Sequence, residues 1–301
     1  MPKFCQIFMP DSTPLISVII VSWNVADSLK RCLDSVFTTK YSNLEIIVID
    51  NASTDNSLKI AKSFSQTNVI ANTKNLGFPK SVNIGLRQSR GDYILLLNPD
   101  TRLPKDFFTR SLEFVYSHSD LGVMGPKFIN PDGTPQGSVF LEPSIITTFR
   151  EYWLGQKGLT AKYSPPGIAE VSSVSGACMF FPKTTIVKVG KFTEEVFMYF
   201  EDMDYCRRIR RAKLKVYYNP QITIIHEHGQ SSKKLSNLKY RNLIETVVYP
   251  CRKMLHLPNT TPSMERYRTE SGIWYNGWFK AAILAVIIWT SHRFLGQDVK
   301  N

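Results

Sequence analysis

The stretch LISVIIVSWNVADSLKRCLDSVF, residues 15–37, contains one change of hydrophobic period. Its first eight residues are a continuous apolar, β-branched run, broken only by Ser17 and bounded by Pro14 and by Trp23-Asn24. A strand with one wet face would alternate, so this run reads as a strand buried on both faces. Beyond it Leu29, Cys32, Leu33 and Val36 recur at i, i+3, i+4 and i+7, the spacing of one helical face. The same unit then repeats. LEIIVID (44–50) is a second buried strand, and NASTDNSLKIAKSF (51–64) turns into a second helix with Asp55 as its N-cap. NVIA (68–71) is a short third strand. GFPKSVNIGLRQSR (77–90) is a third helix, with Phe78, Val82 and Leu86 on one face, and YILLL (93–97) is the fourth strand. Strands alternating with helices predict an α/β fold with a mostly parallel, doubly wound sheet flanked by helices.

Ligands of such sheets bind beyond the carboxyl ends of the strands. Three of those ends are polar and converge on one crevice: Ser22-Trp23-Asn24, Asp50-Asn51 and Asn98-Pro99-Asp100. Ser22 and Asn24 suit contacts to a base. Asp50 can accept from a base N–H or a ribose hydroxyl. Asp100 is a hard-oxygen ligand for Mg²⁺ or Mn²⁺, and Asn98 offers a neutral amide to a cation, a phosphate or a ribose. Asp92 opens the fourth strand at the wrong end for this crevice and reads as structural.

Past Pro104 the pattern loosens. DFFTRSLEFVYSH (106–118) is a helix, GVMGPKF (122–128) a strand and NPDGTPQG (130–137) a turn. Residues 140–170 have the composition of a loop over a site. VSGACMFFP (174–182) returns to strand, YFEDMDYCRRIRRAK (199–213) is a helix opening on acids, and LKVYYNPQITIIHEHG (214–229) reads as a strand pair ending in histidines.

The chain has 301 residues, 43% of them hydrophobic, and a net charge of +12. From Lys233 onward eleven basic side chains face four acidic ones, so that last quarter carries +7. The expected organisation is an N-terminal extension (1–14), a catalytic-type domain (15–232) and a basic helical region (233–301). Within the last, residues 274–296 hold an uninterrupted apolar run of only nine residues, AAILAVIIW, flanked by Lys280 and Arg293. A bilayer span needs roughly 20. The segment therefore reads as a helix lying in the membrane interface, or alternatively as one docked on the domain. Five cysteines without a CxxC spacing read as reduced, structural thiols. The first fourteen residues lack the apolar core of a signal peptide. No GxGxxG follows the first strand, which argues against a dinucleotide oxidoreductase. A nucleic-acid-binding protein would gather basic and aromatic residues on one sheet face or helix, whereas here the excess lies near the membrane-like helix.

Six stretches carry a resemblance: SVIIVSWN, VIDNASTDNS, NLGFPKSVNIGL, GDYILLLNPDT, VSGACMFF and FEDMDYCRRI. In this order they resemble the family 2 glycosyltransferases, above all the rhamnosyltransferase-like branch, over roughly residues 15–232. The resemblance implies a GT-A fold and inverting transfer of a sugar, rhamnose by default, from a nucleotide-diphosphate donor with a divalent metal, Mn²⁺ or Mg²⁺. It implies Asp202 as the general base, with Glu201 the alternative. It places Asn75 near the nucleotide, Asn83 at a recurrent family position, Gly176 on the acceptor side and Arg208 beside Asp202 or a phosphate. His226, or else His228, would complete the metal site. Many relatives carry Asp-x-Asp where this chain has Asn98-Pro99-Asp100, so one carboxylate is replaced by an amide. The implied partners are the donor, a saccharide or lipid-linked saccharide acceptor of cell-surface polysaccharide synthesis, and the inner face of a membrane. Nucleic acid is not among them. The protein is expected to be cytoplasmic and peripherally bound to that face. The competing reading is a non-catalytic nucleotide-sugar-binding protein on the same fold. It would have lost the base or the metal residue, but Asp202 and Asp100 are both present.

Overall fold

The β-branched run forms strand β1 (Ile16–Ser22), buried at every position. A computed structural model of the chain describes residues 13–141, 162–194, 197–198 and 201–227. All of them belong to one of the two compact units into which the chain divides. After β1 come α1 (Ala26–Phe37), β2 (Leu44–Asp50), α2 (Ser57–Ser63), β3 (Thr67–Ala71), α3 (Phe78–Gln88) and β4 (Tyr93–Leu97). Then follow β5 (Thr101–Arg102), α4 (Phe107–Tyr116), β6 (Leu121–Ile129), β7 (Pro135–Gln136) and β8 (Val139–Phe140). The rest are β9 (Ala169–Glu170), β10 (Ser173–Val174), β11 (Cys178–Pro182), α5 (Lys183–Val189), α6 (Glu201–Arg211) and β12 (Lys215–His226).

The main sheet runs β3-β2-β1-β4-β11-β6-β12-β5. Its first four strands are parallel, as their sequence predicts. The other half is mixed: β11 runs antiparallel to both β4 and β6, while β12 is parallel to β6. Side chains of β1 alternate between the two faces. Val18 and Ile20 join Leu29, Leu33, Phe107 and Phe180 in one core. Ile19 and Val21 join Val82, Ile49, Met179 and Tyr205 in the other.

Two local expectations are corrected. Residues 214–229 do not make a strand pair; Lys215–His226 is one strand, with a register irregularity between Asn219 and Thr223. Pro220 sits in that irregularity, where its missing N–H costs no ladder bond. Asp55 is not a simple cap of α2. Its Oδ1 accepts from the Ser57 N–H at 2.9 Å and its Oδ2 from the Ala26 N–H at 3.1 Å, so one carboxylate serves the starts of two helices. α1 has no side-chain cap of its own; the Val25 and Asn24 N–H groups donate to the hydroxyls of Ser57 and Ser53, both at 3.0 Å. The crossover loops after β1 and β2 thereby lock each other in place at the crevice.

The proposed interfacial helix, the N-terminal extension before Thr13, His228, and most of the loop within 140–170 lie outside the described residues. Among the described residues no helix is long and apolar enough to cross a membrane.

Gly85 of α3 packs closely on the sheet. A Cβ there would meet Ile19 Cγ2 at 2.5 Å and Ile49 Cδ1 at 3.0 Å. Overpacking of this kind costs about 1–3 kcal/mol. Gly85→Val is therefore expected to lower the urea midpoint at an unchanged m-value; an unaltered midpoint would show that α3 can move off the sheet freely.

Candidate active site

Ser22 and Asp50 stand opposite each other at the last register pair of β1 and β2. The Ser22 Oγ and the Asp50 Oδ1 are buried and have no hydrogen-bond partner among the described residues. The other oxygen of Asp50 accepts from the Ser53 N–H at 3.0 Å. A buried polar atom left dry costs about 1–3 kcal/mol, so the pair suits the donors and acceptors of a ligand. Asn24 adopts a left-handed conformation (φ 54°) that asparagine tolerates. Its Oδ1 accepts from the Thr54 N–H at 2.7 Å, which braces the neighbouring loop. Asn75 likewise turns its Oδ1 to the Gly77 N–H at 2.9 Å. Sequence reasoning passed over the role of Asn51. Its Oδ1 accepts from the Ser81 hydroxyl and the Asn72 amide, and its own amide donates to the Gly77 carbonyl. One buried side chain thus ties the ends of β2 and β3 to the start of α3.

Asn83 is spent elsewhere. Its amide donates to the Phe192 carbonyl and to Glu194, each at 2.8 Å, and accepts from the Phe192 N–H at 3.0 Å. It holds the segment that leads to α6. Arg208 is also engaged away from Asp202. It donates to Asp204 at 3.0 Å and to the carbonyls of Val189 and Lys191.

At the end of β4, the Asn98 N–H donates to the Ala177 carbonyl at 2.9 Å. The chain then turns into β5, whose Thr101 pairs with His226 on β12. That pairing sets the His226 Nε2 3.5 Å from the Asp100 Oδ1, with both residues buried. One oxygen donor in the turn before β5 and one nitrogen donor on β12 are few for a protein-only cage. They fit a cation that takes one or two protein ligands and fills its shell from substrate phosphates. Among the described residues no group of three or more His, Cys, Asp or Glu side chains could hold a metal. The Asn98 side chain is half-buried beside this pair in sequence and makes no hydrogen bond to the described residues.

Asp202 and Glu201 open α6, both buried. The Gly176 N–H donates to the Asp202 Oδ2 at 2.9 Å and the Met203 N–H to Oδ1 at 2.8 Å. A Cβ on Gly176 would lie 3.3 Å from that of Asp202, so only glycine lets backbone and carboxylate come this close without pressure. Burial raises the Asp202 carboxyl above its ordinary value, while the Gly176 N–H and the charge of Lys162 pull it back. Glu201 is pushed up to about 8, by burial first and by Asp202 second. Lys162 was not singled out from the sequence, because it sits in an irregular stretch. Burial lowers its ammonium, while Asp202 and Asp100 raise it, so this half-buried cation feels both acids.

The α/β sheet thus carries buried acids and an imidazole at the ends of its strands and at the start of α6. The chain belongs to glycosyltransferase family 2: the profile described as "Glycosyl transferase family 2" matches residues 17–166, and "Glycosyl transferase family group 2" matches residues 93–256, more than half of the chain. It is 24% identical over 240 residues to an N-acetylglucosaminyl-diphospho-decaprenol L-rhamnosyltransferase of Mycobacterium tuberculosis, covering 73% of this chain and 78% of that one. A low-salt glycan biosynthesis hexosyltransferase, Agl10 of Haloferax volcanii, is 23% identical across 70% of this chain and 66% of its own. The fold is shared with the mannosyltransferase PcManGT of Pyrobaculum calidifontis, solved with GDP-Man and Mn²⁺. The TM-score is 0.53 at 16% identity, over 96% of this chain and 78% of that one. The protein is a glycosyltransferase that draws on a nucleotide-sugar donor.

The raised Glu201 value makes a signed prediction. The fold favours the protonated carboxyl, so this group costs stability as pH rises from its ordinary 4.5 to about 8. Glu201→Gln removes that cost. Its melting temperature should match the wild type near pH 4, exceed it increasingly towards pH 8 and hold a constant advantage above. Parallel melting curves at all pH values would refute the burial of an ionisable Glu201.

Proposed function

We propose that this glycosyltransferase inverts configuration, with Asp202 as general base, at a site where Asp100 and His226 hold a divalent cation. The observation that carries the reading is a pair of backbone hydrogen bonds at one strand edge. Ala177 accepts from Asn98, two residues before Asp100, while its neighbour Gly176 donates to Asp202. The candidate base and the candidate cation ligands therefore meet across a single strand end.

In this reading Ser22 and Asp50 receive the nucleoside at the ends of β1 and β2. Asp202 accepts the proton of an acceptor hydroxyl as its oxygen attacks the anomeric carbon. The bond from that carbon to the diphosphate oxygen breaks on the opposite face, and the electron pair leaves with the nucleoside diphosphate. A bound Mn²⁺ or Mg²⁺ would supply charge neutralisation to that leaving diphosphate. The Lys162 ammonium lies near enough to Asp202 and Asp100 to feel their charge. Its field and the Gly176 N–H oppose the effect of burial on Asp202 and favour the carboxylate form that a base requires. Glu201, protonated at neutral pH, can donate a hydrogen bond to a sugar hydroxyl.

The decisive measurement is a thermal-shift screen against UDP-, GDP-, dTDP- and CMP-sugars with and without Mn²⁺, followed by turnover with the donor that binds. Asp202→Asn should keep donor binding and lose about 10²–10⁴-fold in rate. Asp100→Asn should lose the Mn²⁺-dependent part of the shift. Retained turnover in the first variant removes Asp202 as base, and indifference to Mn²⁺ removes the cation. Donor binding without turnover in the wild type would instead favour a non-catalytic nucleotide-sugar-binding protein.

We infer further that the sugar is rhamnose, the acceptor a saccharide or lipid-linked saccharide of cell-surface polysaccharide synthesis, and the working place the cytoplasmic face of a membrane. The M. tuberculosis relative, by its name, transfers L-rhamnose to a diphospho-decaprenol-linked sugar. The +7 charge after residue 232 suits an anionic surface. The full chain should float with vesicles containing anionic phospholipid, less so at high salt, and not with purely zwitterionic ones; failure to float with either would sink the membrane assignment.

A further inference from the structure

We propose that Gln136 is a positioning residue for His226: it holds the imidazole with its proton on Nδ1 and so presents Nε2 as the donor beside Asp100. This rests on the cation reading above but makes its own claim about the protein without metal. The argument is a chain of hydrogen bonds whose directions are each forced. It begins at the turn between β6 and β7. The exposed Asp132 carboxyl is held below its ordinary value by the hydroxyl and N–H of Thr134, so it is an acceptor only. The Thr134 hydroxyl gives it its single proton at 2.6 Å. The Thr134 oxygen can then only accept from the Asn130 Nδ2, at 2.8 Å. That fixes the Asn130 amide, whose Oδ1 accepts from the Gln136 Nε2 at 2.9 Å. The same nitrogen reaches the His226 carbonyl at 3.3 Å, a second reason for the amide to face this way. The Gln136 Oε1 is left towards His226 Nδ1 at 2.5 Å. An amide oxygen cannot donate, so Nδ1 must.

In the neutral ring the lone pair is then on Nε2, the nitrogen 3.5 Å from the Asp100 Oδ1. A nitrogen lone pair and a carboxylate oxygen then stand side by side in a buried place, as two ligands of one divalent ion would. Outer partners of this kind orient a ligating imidazole and raise its basicity. The register of β6 and β7, Phe128 to Gln136 and Ile129 to Pro135, places Gln136 for this task.

The test reads the tautomer and the metal separately. In full-length protein labelled with ¹⁵N-histidine and free of metal, at pH 8, the His226 resonances (assigned by their loss in His226→Asn) should show the Nδ1–H tautomer. Gln136→Leu should give a mixed or Nε2–H ring and weaken Mn²⁺ binding about 10–100-fold, the usual size of a second-layer loss. Free Mn²⁺ is counted by EPR with Mn²⁺ alone as probe. Gln136→Met, closer in shape, repeats both readings should the leucine variant not fold, while Gln136→Glu keeps an acceptor and should keep tautomer and affinity. An Nε2–H ring in the wild type overturns the proposal, as does an unchanged tautomer and affinity in Gln136→Leu and Gln136→Met. If His226→Asn binds Mn²⁺ as the wild type does, the cation reading falls and this proposal with it. If His226→Asn loses Mn²⁺ while Gln136→Leu does not, the proposal alone falls.

Discussion

Everything at the crevice depends on the reversal of one strand. β11 pairs antiparallel with β4, Cys178 opposite Leu97. Its first residues therefore start where β4 stops, and the Asn98 N–H closes the ladder on Ala177. Had β11 run parallel, its beginning would lie at the far edge of the sheet, about 15 Å away at 3.3 Å per residue. Gly176 would then meet nothing at the crevice, and the carboxylate it binds on α6 would have no anchor there.

The parallel half was legible because its strands are buried on both faces and its helices on one. The two periods differ and leave little room for another reading over residues 15–97. The reversal of β11 was not legible. CMFF is equally apolar in either direction, and hydrophobic periodicity carries no sign. Residues 214–229 read as a strand pair but form one strand, β12, which changes neighbours along its length, from β9 to β5. Among polar residues, Ser22, Asp50, Asp100, Asp202 and His226 stood out by lying at strand or helix ends. Asn24 stood out for the same reason and Asn83 by its resemblance, and both brace neighbouring chain segments. An asparagine that meets a ligand and one that staples two loops have the same signature in sequence. Lys162 and Gln136 had no signature, since they lie in irregular chain where neither period operates.

Several buried polar atoms have no hydrogen-bond partner among the described residues. Ser22 Oγ, Asp50 Oδ1 and Glu201 Oε2 are among them, and all belong to the crevice. A buried polar atom that faces the crevice can gain its missing partner from a ligand. Burial drives Asp202 and Glu201 upward together, and Asp202 has the Gly176 N–H and the nearby Lys162 ammonium to resist it. Two adjacent carboxyls, both raised by burial, are thereby given different surroundings.

Three thiols stand behind three walls of the crevice. Cys32 of α1 lies under the Asn98 carbonyl and Thr101, Cys178 opens β11, and Cys206 is on α6 behind Asp202. All are free and buried; burial pushes Cys32 and Cys206 up to about 12 and Cys178 well above its ordinary value. A thiol in that condition is inert to alkylation until its wall opens. Labelling kinetics at the three positions would therefore time the opening of each wall in the unmodified protein, with no probe to be engineered. The order in which they react would tell whether β11, or the helix that carries Asp202, lets go first.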